Sequence, residues 1–237
     1  SHIGKGFTLL LIAPVKSVSE VIIMDIFAKC ARGKCLDCLR GVNHIIIKLA
    51  LNSDLSEAVL STDNSIYQVY PQVAVFPMNH QDLIRIARAA HEYDVTLYPR
   101  GGGTGTNAQS LGAGIVVDTS KHMNAILEIN VEERWARVQC GAVKDHLNAE
   151  IRKHGLFFAP DLSTSNRATI GGMISTDASG QGSVRYGKTR DHVISLKAVL
   201  LTGEEFNARV LSDAELDDLP KNSAEYRIGD ALRDIHD

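Results

Sequence analysis

The chain has 237 residues, 44% of them hydrophobic and 22% charged, which suits one large domain or two packed lobes and argues against disorder. A net charge of −3, an isoelectric point near 6.3 and only 5% aromatic residues exclude the basic, base-stacking surface of a nucleic-acid binder. Four cysteines are too few for a disulfide framework and point to a reducing, cytoplasmic setting, while no stretch reaches the roughly 18 apolar residues of a membrane span.

Residues 1–50 have apolar helical content but no interpretable order. The apolar run at residues 7–13 is broken by Pro14 and Lys16, and no convincing small-residue cleavage pattern follows it. Cys30, Cys35 and Cys38 have the spacing that opens a plant-type ferredoxin cluster motif. The remaining cysteine, Cys140, falls far along the chain, so helical or surface thiols are the better reading and no metal site is expected.

The interpretable pattern starts with a short buried strand at residues 73–76, between Pro71 and Pro77. Asn79 then caps a helix whose apolar stripe is Leu83, Ile86, Ala87 and Ala90. A strand at residues 95–98, a glycine-rich loop and a strand at residues 114–118 complete a small lobe. Residues 126–129 and 135–140 read as strands joined by a polar turn, and residues 144–154 as a helix stopped by Gly155. After a second glycine-rich stretch, residues 193–201 and 206–210 form a predicted hairpin, and acidic turns lead to a helix near residues 224–235. Trp135 is read as packing on its strand.

Glycine is unevenly placed: six of the 19 lie between Gly101 and Gly114, and five between Gly171 and Gly187. The first cluster, PRGGGTGTNAQS at residues 99–110, follows a strand, and no Asp or Glu occurs between Asp94 and Asp118. Consecutive glycines let successive N–H groups turn inward as an anion nest. Thr104, Thr106, Ser110, Asn107 and Gln109 add neutral donors and Arg100 adds a fixed charge. The same glycines also suit a flexible turn; continuous donors, absent acids and a flanking strand on each side favour phosphate. Rossmann spacing would need glycine where Thr106 stands, so a nicotinamide site of that type is not favoured.

GSVRYGKT at residues 182–189 formally satisfies the Walker A pattern. That loop requires a buried strand before it and a helix after it. Here small polar residues precede and a strand follows, so the match is read as coincidence. His192, just beyond, is open to either a place near a cofactor or a structural role.

The second cluster, PDLSTSNRATIGGMISTDASGQGSVRYG at residues 160–187, is rich in hydroxyls and small residues, compatible with close packing beside a large planar ring. Together with DNSIYQ at residues 63–68 and YGKTRDHV at residues 186–193, the two clusters resemble the FAD-binding domain of the vanillyl-alcohol oxidase superfamily. Within it the chain is most similar to D-lactate and D-2-hydroxyglutarate dehydrogenases, particularly large bacterial FAD-linked oxidoreductases with a C-terminal iron–sulfur region. The resemblance runs from about Ser61 to Glu204.

This resemblance implies an α+β, two-lobed flavin domain, with residues 51–121 as the first lobe and 122–237 as a second, apparently truncated one. A cap domain and the last flavin-domain strand are expected beyond residue 237. It implies pyrophosphate contacts from Pro99, Arg100, Gly101, Gly102, Gly103, Thr104, Gly105, Thr106, Gln109 and Ser110. Contacts along the ribityl chain and flavin ring are implied for Pro160, Asp161, Ser165, Thr169, Ile170, Gly171, Gly172, Ser175, Thr176, Asp177, Ser179 and Gly180. Thr104 stands where covalent members often have histidine, implying noncovalent FAD, and Asp177 replaces an Asn common in relatives.

The implied reaction moves the Cα hydride of a D-2-hydroxy acid to the flavin, with an acceptor protein or quinone taking the electrons. No catalytic base is identified; the resemblance places it in the cap. The chain alone is therefore expected to bind FAD poorly or to carry out no turnover. The alternative is a flavin-binding module, inactive by itself, that works through a partner chain or the cap.

Overall fold

The computed structural model describes residues 8–11, 58–92 and 94–236. Cys30, Cys35, Cys38 and all but four residues of the segment 1–50 lie outside the described residues. The first described strand, β1 (Thr8–Leu11), belongs to the second of two sheets.

The first sheet comprises β2 (Val73–Val75), β3 (Leu97–Arg100) and β4 (Ile115–Asp118), all parallel, in the order β2-β4-β3, with helix α1 (His80–Glu92) between β2 and β3. Every residue of the central strand IVVD is buried, as a parallel strand covered on both faces must be. Val75, Ile115 and Val117 pack with Ile86 of α1 on one face, and Ala74, Phe76 and Val116 pack with Leu60 on the other. Asn79 caps α1 by accepting from the Asp82 N–H at 3.1 Å.

The buried face of α1 is wider than the predicted stripe. Ile84, Ile86, Ala87, Ala89 and Ala90 are all buried, whereas Leu83 is only partly so. The sheet covers one side of the helix and the second lobe covers another: His80 pairs with Glu205, and Arg88 lies against the turn at Gly203.

The second sheet adds β5 (Ile126–Asn130), β6 (Trp135–Val138), β7 (Val193–Val199) and β8 (Glu205–Arg209), in the order β5-β6-β1-β7-β8. Both hairpins are antiparallel, whereas β1 runs parallel to β6 and β7, with Thr8 opposite Trp135 and Leu11 opposite Leu196. The segment that carried no interpretable order thus supplies a central strand.

Helix α2 (Lys144–Ile151) tightens into a 3-10 turn at Arg152–His154 and stops at Gly155, whose φ of 70° closes it in the left-handed region. Two short helices, α3 (Ile170–Ser175) and α4 (Ser183–Tyr186), lie within the second glycine-rich stretch, followed by a 3-10 turn at Thr189–His192. The predicted acidic turns contain α5 (Asp213–Asp217), started by a capping box between Ser212 and Glu215, and the chain continues into α6 (Ala224–His236).

The second core gathers Ala136 and Val138 of β6, Leu147 and Ile151 of α2, Phe158, and Ile170 and Met173 of α3. Fully burying each larger side chain contributes about 1.5–3 kcal/mol. These residues pack α2 and α3 beneath the second glycine-rich stretch. Among the described residues no helix is long and apolar enough to cross a membrane.

Candidate functional site

Arg100 of β3 is in register with Asp118 of β4, so the loop between them leaves the carboxyl end of a parallel sheet, where ligands of such sheets bind. The N–H groups of Gly102, Gly103, Thr104, Gly105 and Thr106 donate to no acceptor among the described residues. The next, on Asn107, is held by the Gln109 side-chain oxygen at 3.0 Å. Gly103 has φ 62°, which brings successive N–H groups round to one side. No carboxylate lies in the segment. N–H groups left without a partner among the described residues at such density suit a ligand that brings several acceptors, and an oxyanion is one.

Gly101 and Gly102 have a second reason to lack side chains. A Cβ on Gly101 would collide with the Thr169 hydroxyl, and one on Gly102 with the Arg167 carbonyl. The two glycine-rich stretches are therefore in van der Waals contact across the lobes, which brings the two predicted halves of the site together.

Arg100 packs its guanidinium against Gly103 without standing free in the open face of the nest. Its guanidinium is buried and donates to the carbonyls of Thr62 at 2.8 Å and Leu60 at 3.5 Å. Burial pulls its pKa below the ordinary arginine value, against the opposing pull of Asp118 and Asp63. Ser110 is also buried and donates to Asp63 at 3.1 Å. Burial works against the Asp63 charge, but hydrogen bonds from Ser65 and Ser110 and the nearby Arg100 outweigh it, and the pKa lies below the usual carboxylate value. The DNSIYQ motif thus forms a brace under the loop. Pro99, Thr106 and Gln109 are exposed beside it, and Thr104 and Gly105 are half-buried.

In the second stretch most polar groups are satisfied internally. Thr169 caps α3 by accepting from Gly172 N–H at 3.4 Å. Ser175 and Thr176 donate back to the carbonyls of Gly171 and Gly172 at 2.9 and 3.0 Å, and Ser165 donates to Asp145 at 3.1 Å. Ile170 is fully buried in the core and Pro160 is buried, so their side chains offer a ligand no surface. Gly171 packs on Cys140, and Gly180 packs on the Asp161 carbonyl with no room for a Cβ. Gly172, Ser175, Thr176, Ser179 and Gly180 are exposed and form the open wall of this stretch.

Asp177 adopts φ 44°, a conformation Asn and Asp tolerate. Its carboxylate accepts from Arg190 N–H at 3.1 Å and lies 3.8 Å from Lys188 Nζ and 3.5 Å from Arg190 Nε. That pairing also disposes of the Walker A match, since Lys188 turns to Asp177 and the loop enters a 3-10 turn rather than a helix. His192 takes the structural option: Nε2 donates to the Tyr186 carbonyl at 2.8 Å and the ring edge meets Phe158 at 5.8 Å.

One participant was not foreseen. Lys144 opens α2 with its side chain buried and its Nζ 3.2 Å from Asp161 Oδ1. A lysine in the first turn opposes the helix dipole, so its place is explained by anchoring the 161–168 loop. The apolar spacing of α2 masked it.

This arrangement, two glycine-rich stretches meeting between a parallel and a mixed sheet, defines a flavin-binding fold of the FAD-linked oxidase type. Residues 71–209 match the family described as FAD binding domain, and the chain belongs to it. It is 61% identical over 181 residues to D-2-hydroxyglutarate dehydrogenase of Pseudomonas putida, covering 75% of this chain and 18% of that protein. It is 57% identical over 155 residues to the enzyme of that name from Escherichia coli, covering 64% of this chain and 15% of the relative. The chain therefore spans less than a fifth of the length of these curated relatives. Among solved structures, alkyldihydroxyacetonephosphate synthase superposes with a TM-score of 0.63 at 21% identity, over 86% of this chain and 40% of that one. The 6-hydroxy-D-nicotine oxidase of Arthrobacter nicotinovorans gives 0.63 at 20% identity, over 73% and 38%. The α+β class is as expected, and the cofactor of the family is FAD. The unpaired N–H groups of residues 102–106 fit its pyrophosphate.

Proposed function

We propose that the chain is the FAD-holding part of a dehydrogenase for a D-2-hydroxy acid of the D-2-hydroxyglutarate type, with lobes at residues 51–121 and 122–237. The observation that carries this reading is the acid-free run of unpaired N–H groups at residues 102–106, set directly against the loop that precedes α3. The 61% identity to a D-2-hydroxyglutarate dehydrogenase supports the substrate class.

In this reading Gly102, Gly103, Thr104, Gly105 and Thr106 bind the pyrophosphate through the backbone. Arg100, Asp63 and Ser110 keep the loop in shape from below. Gly172, Ser175, Thr176, Ser179 and Gly180 present a flat wall to the flavin and exclude water from one of its faces. The bound cofactor supplies the hydride-accepting chemistry. Thr104 provides no histidine for a covalent link, so the cofactor is held noncovalently. Electrons leave to an acceptor protein or a quinone, and the low cysteine content supports a cytoplasmic location.

A second reading, a flavin module whose turnover needs a partner chain or a cap domain, is favoured by the state of the proton acceptors. His192 is buried, with Nε2 on the Tyr186 carbonyl and Nδ1 unpartnered among the described residues but enclosed, and Asp177 is paired with Lys188 and Arg190, so neither presents an open base to a substrate's hydroxyl. The two readings part in one experiment. The purified chain is titrated with FAD and then given D-2-hydroxyglutarate or D-lactate without oxygen. Saturable flavin binding is expected. Bleaching by either acid would sink the module reading, and failure to bind FAD would sink both.

A further inference from the structure

Arg167 lies in the loop before α3, and its backbone carbonyl fills the space over Gly102, so its Cα stands at the rim of the 102–106 nest. Its side chain is exposed and forms no ion pair or hydrogen bond among the described residues. The other cations of the two stretches are engaged. Arg100 is buried on carbonyls, Arg185 lies over the Tyr186 ring at 5.1 Å, Lys144 is held by Asp161, and Lys188 and Arg190 face Asp177. Arg167 also stands close enough to Arg100 for the two charges to repel, which contributes to the low pKa of the buried guanidinium. Arg100 is already countered by Asp118 and Asp63, so the exposed Arg167 is the charge left to meet an anion arriving at the nest.

We infer that Arg167 is the side-chain cation for the phosphates, closing the nest from the second lobe in the place the sequence suggested for Arg100. The inference rests on the FAD reading above. A guanidinium engages two phosphate oxygens at once, so Arg167 adds a charge-assisted pair to a site otherwise made of neutral N–H groups. Because it is delivered by the opposite lobe, it also makes phosphate binding depend on the contact between Gly102 and the 161–168 loop.

The test uses the full chain, the variants Arg167→Gln and Arg167→Lys, and three probes: FAD, riboflavin, which lacks phosphate, and inorganic pyrophosphate. Arg167→Gln is expected to raise the Kd for FAD by about tenfold or more at low salt. The difference should shrink as salt rises, with Arg167→Lys falling in between. Pyrophosphate binding should weaken in parallel, while riboflavin binding and the melting temperature of the ligand-free protein stay as in wild type. Wild-type affinity of Arg167→Gln for FAD and pyrophosphate would overturn the assignment and leave the FAD reading standing. Equal weakening of riboflavin would also overturn it, because the residue would then be shaping the loop. A wild-type chain that bound neither FAD nor pyrophosphate would remove both the reading and the inference.

Discussion

The loop after β3 and the stretch around α3 are both rich in glycine and hydroxyls, but their polar groups are disposed in opposite ways. Residues 102–106 leave consecutive N–H groups without a partner among the described residues, while Thr169, Ser175, Thr176 and Ser165 close on their own helix or on Asp145. The first region is an open set of donors held in shape by Arg100 and Asp63 from below. The second is a closed, self-satisfied wall supported by Ile170 and Met173 in the core and by Lys144 on Asp161. A phosphate needs the first arrangement, because it brings many acceptors. A flat ring system whose faces carry no hydrogen-bonding groups suits the second, because a self-satisfied surface of small residues packs against such a face without stranding donors.

Breaking the brace should have the largest effect. Arg100→Met removes the donors to Leu60 and Thr62 and leaves Asp63 and Asp118 without their buried countercharge. Hydrogen bonds from a charged donor are worth about 1.5–3 kcal/mol each, so losing both should cost about 3 kcal/mol or more in chemical denaturation. Gly102→Ala follows, since its Cβ meets the Arg167 carbonyl. Overpacking there should cost about 1–3 kcal/mol and weaken FAD binding, because the loops must separate. Gly172→Ala is the control within the second region, where the only close neighbour among the described residues is the Thr169 hydroxyl at 3.2 Å. It should shift the melting temperature far less.

The contact between α1 and β8 gives a pH dependence with a definite sign. Burial holds the His80 pKa below its ordinary 6.5, with Glu205 opposing and Lys197 reinforcing that shift. Between the two pKa values the unfolded chain binds a proton that the folded chain does not. Stability is therefore complete above about pH 6.5 and falls as the pH drops below it, until the folded-state pKa is reached. Melting temperatures across this window should show the decline, and His80→Gln should flatten it.

The smallest effect is expected at Asp177. Asp177→Asn keeps the backbone conformation and loses only partly exposed pairs with Lys188 and Arg190, a change of about 0–1 kcal/mol. FAD affinity should change less than twofold in a titration.

Much of the fold was legible in the sequence. Strands β2 to β8 and helix α1 follow from alternation and period, and Asn79 and Gly155 mark boundaries by local chemistry. The Walker A match was also resolvable by context alone. What could not be read was side-chain direction. Arg100 in an acid-free loop suggests a charge aimed at a ligand, yet the nearest acceptors are carbonyls 38 to 40 residues earlier in the chain. The glycines of residues 101 and 102 were read as part of an anion nest, but they are also needed for contact with Thr169 and Arg167, a contact between distant segments that no local pattern encodes. Lys144 looked like an ordinary polar position on α2 for the same reason. The short helices α3 and α4 fell within glycine-rich sequence, where propensity argues against them and tertiary packing of Ile170 and Met173 prevails.

The central claim is that backbone N–H groups of residues 102–106 hold the phosphates. Amide chemical shifts of the isotopically labelled chain, recorded as FAD is added and again with inorganic pyrophosphate, test it most directly. The amides of Gly102, Gly103, Thr104, Gly105 and Thr106 are expected to move with both ligands, and those of residues 172–180 with FAD alone. Shifts confined to residues 172–180 with FAD, and none in the first loop with either ligand, would contradict it.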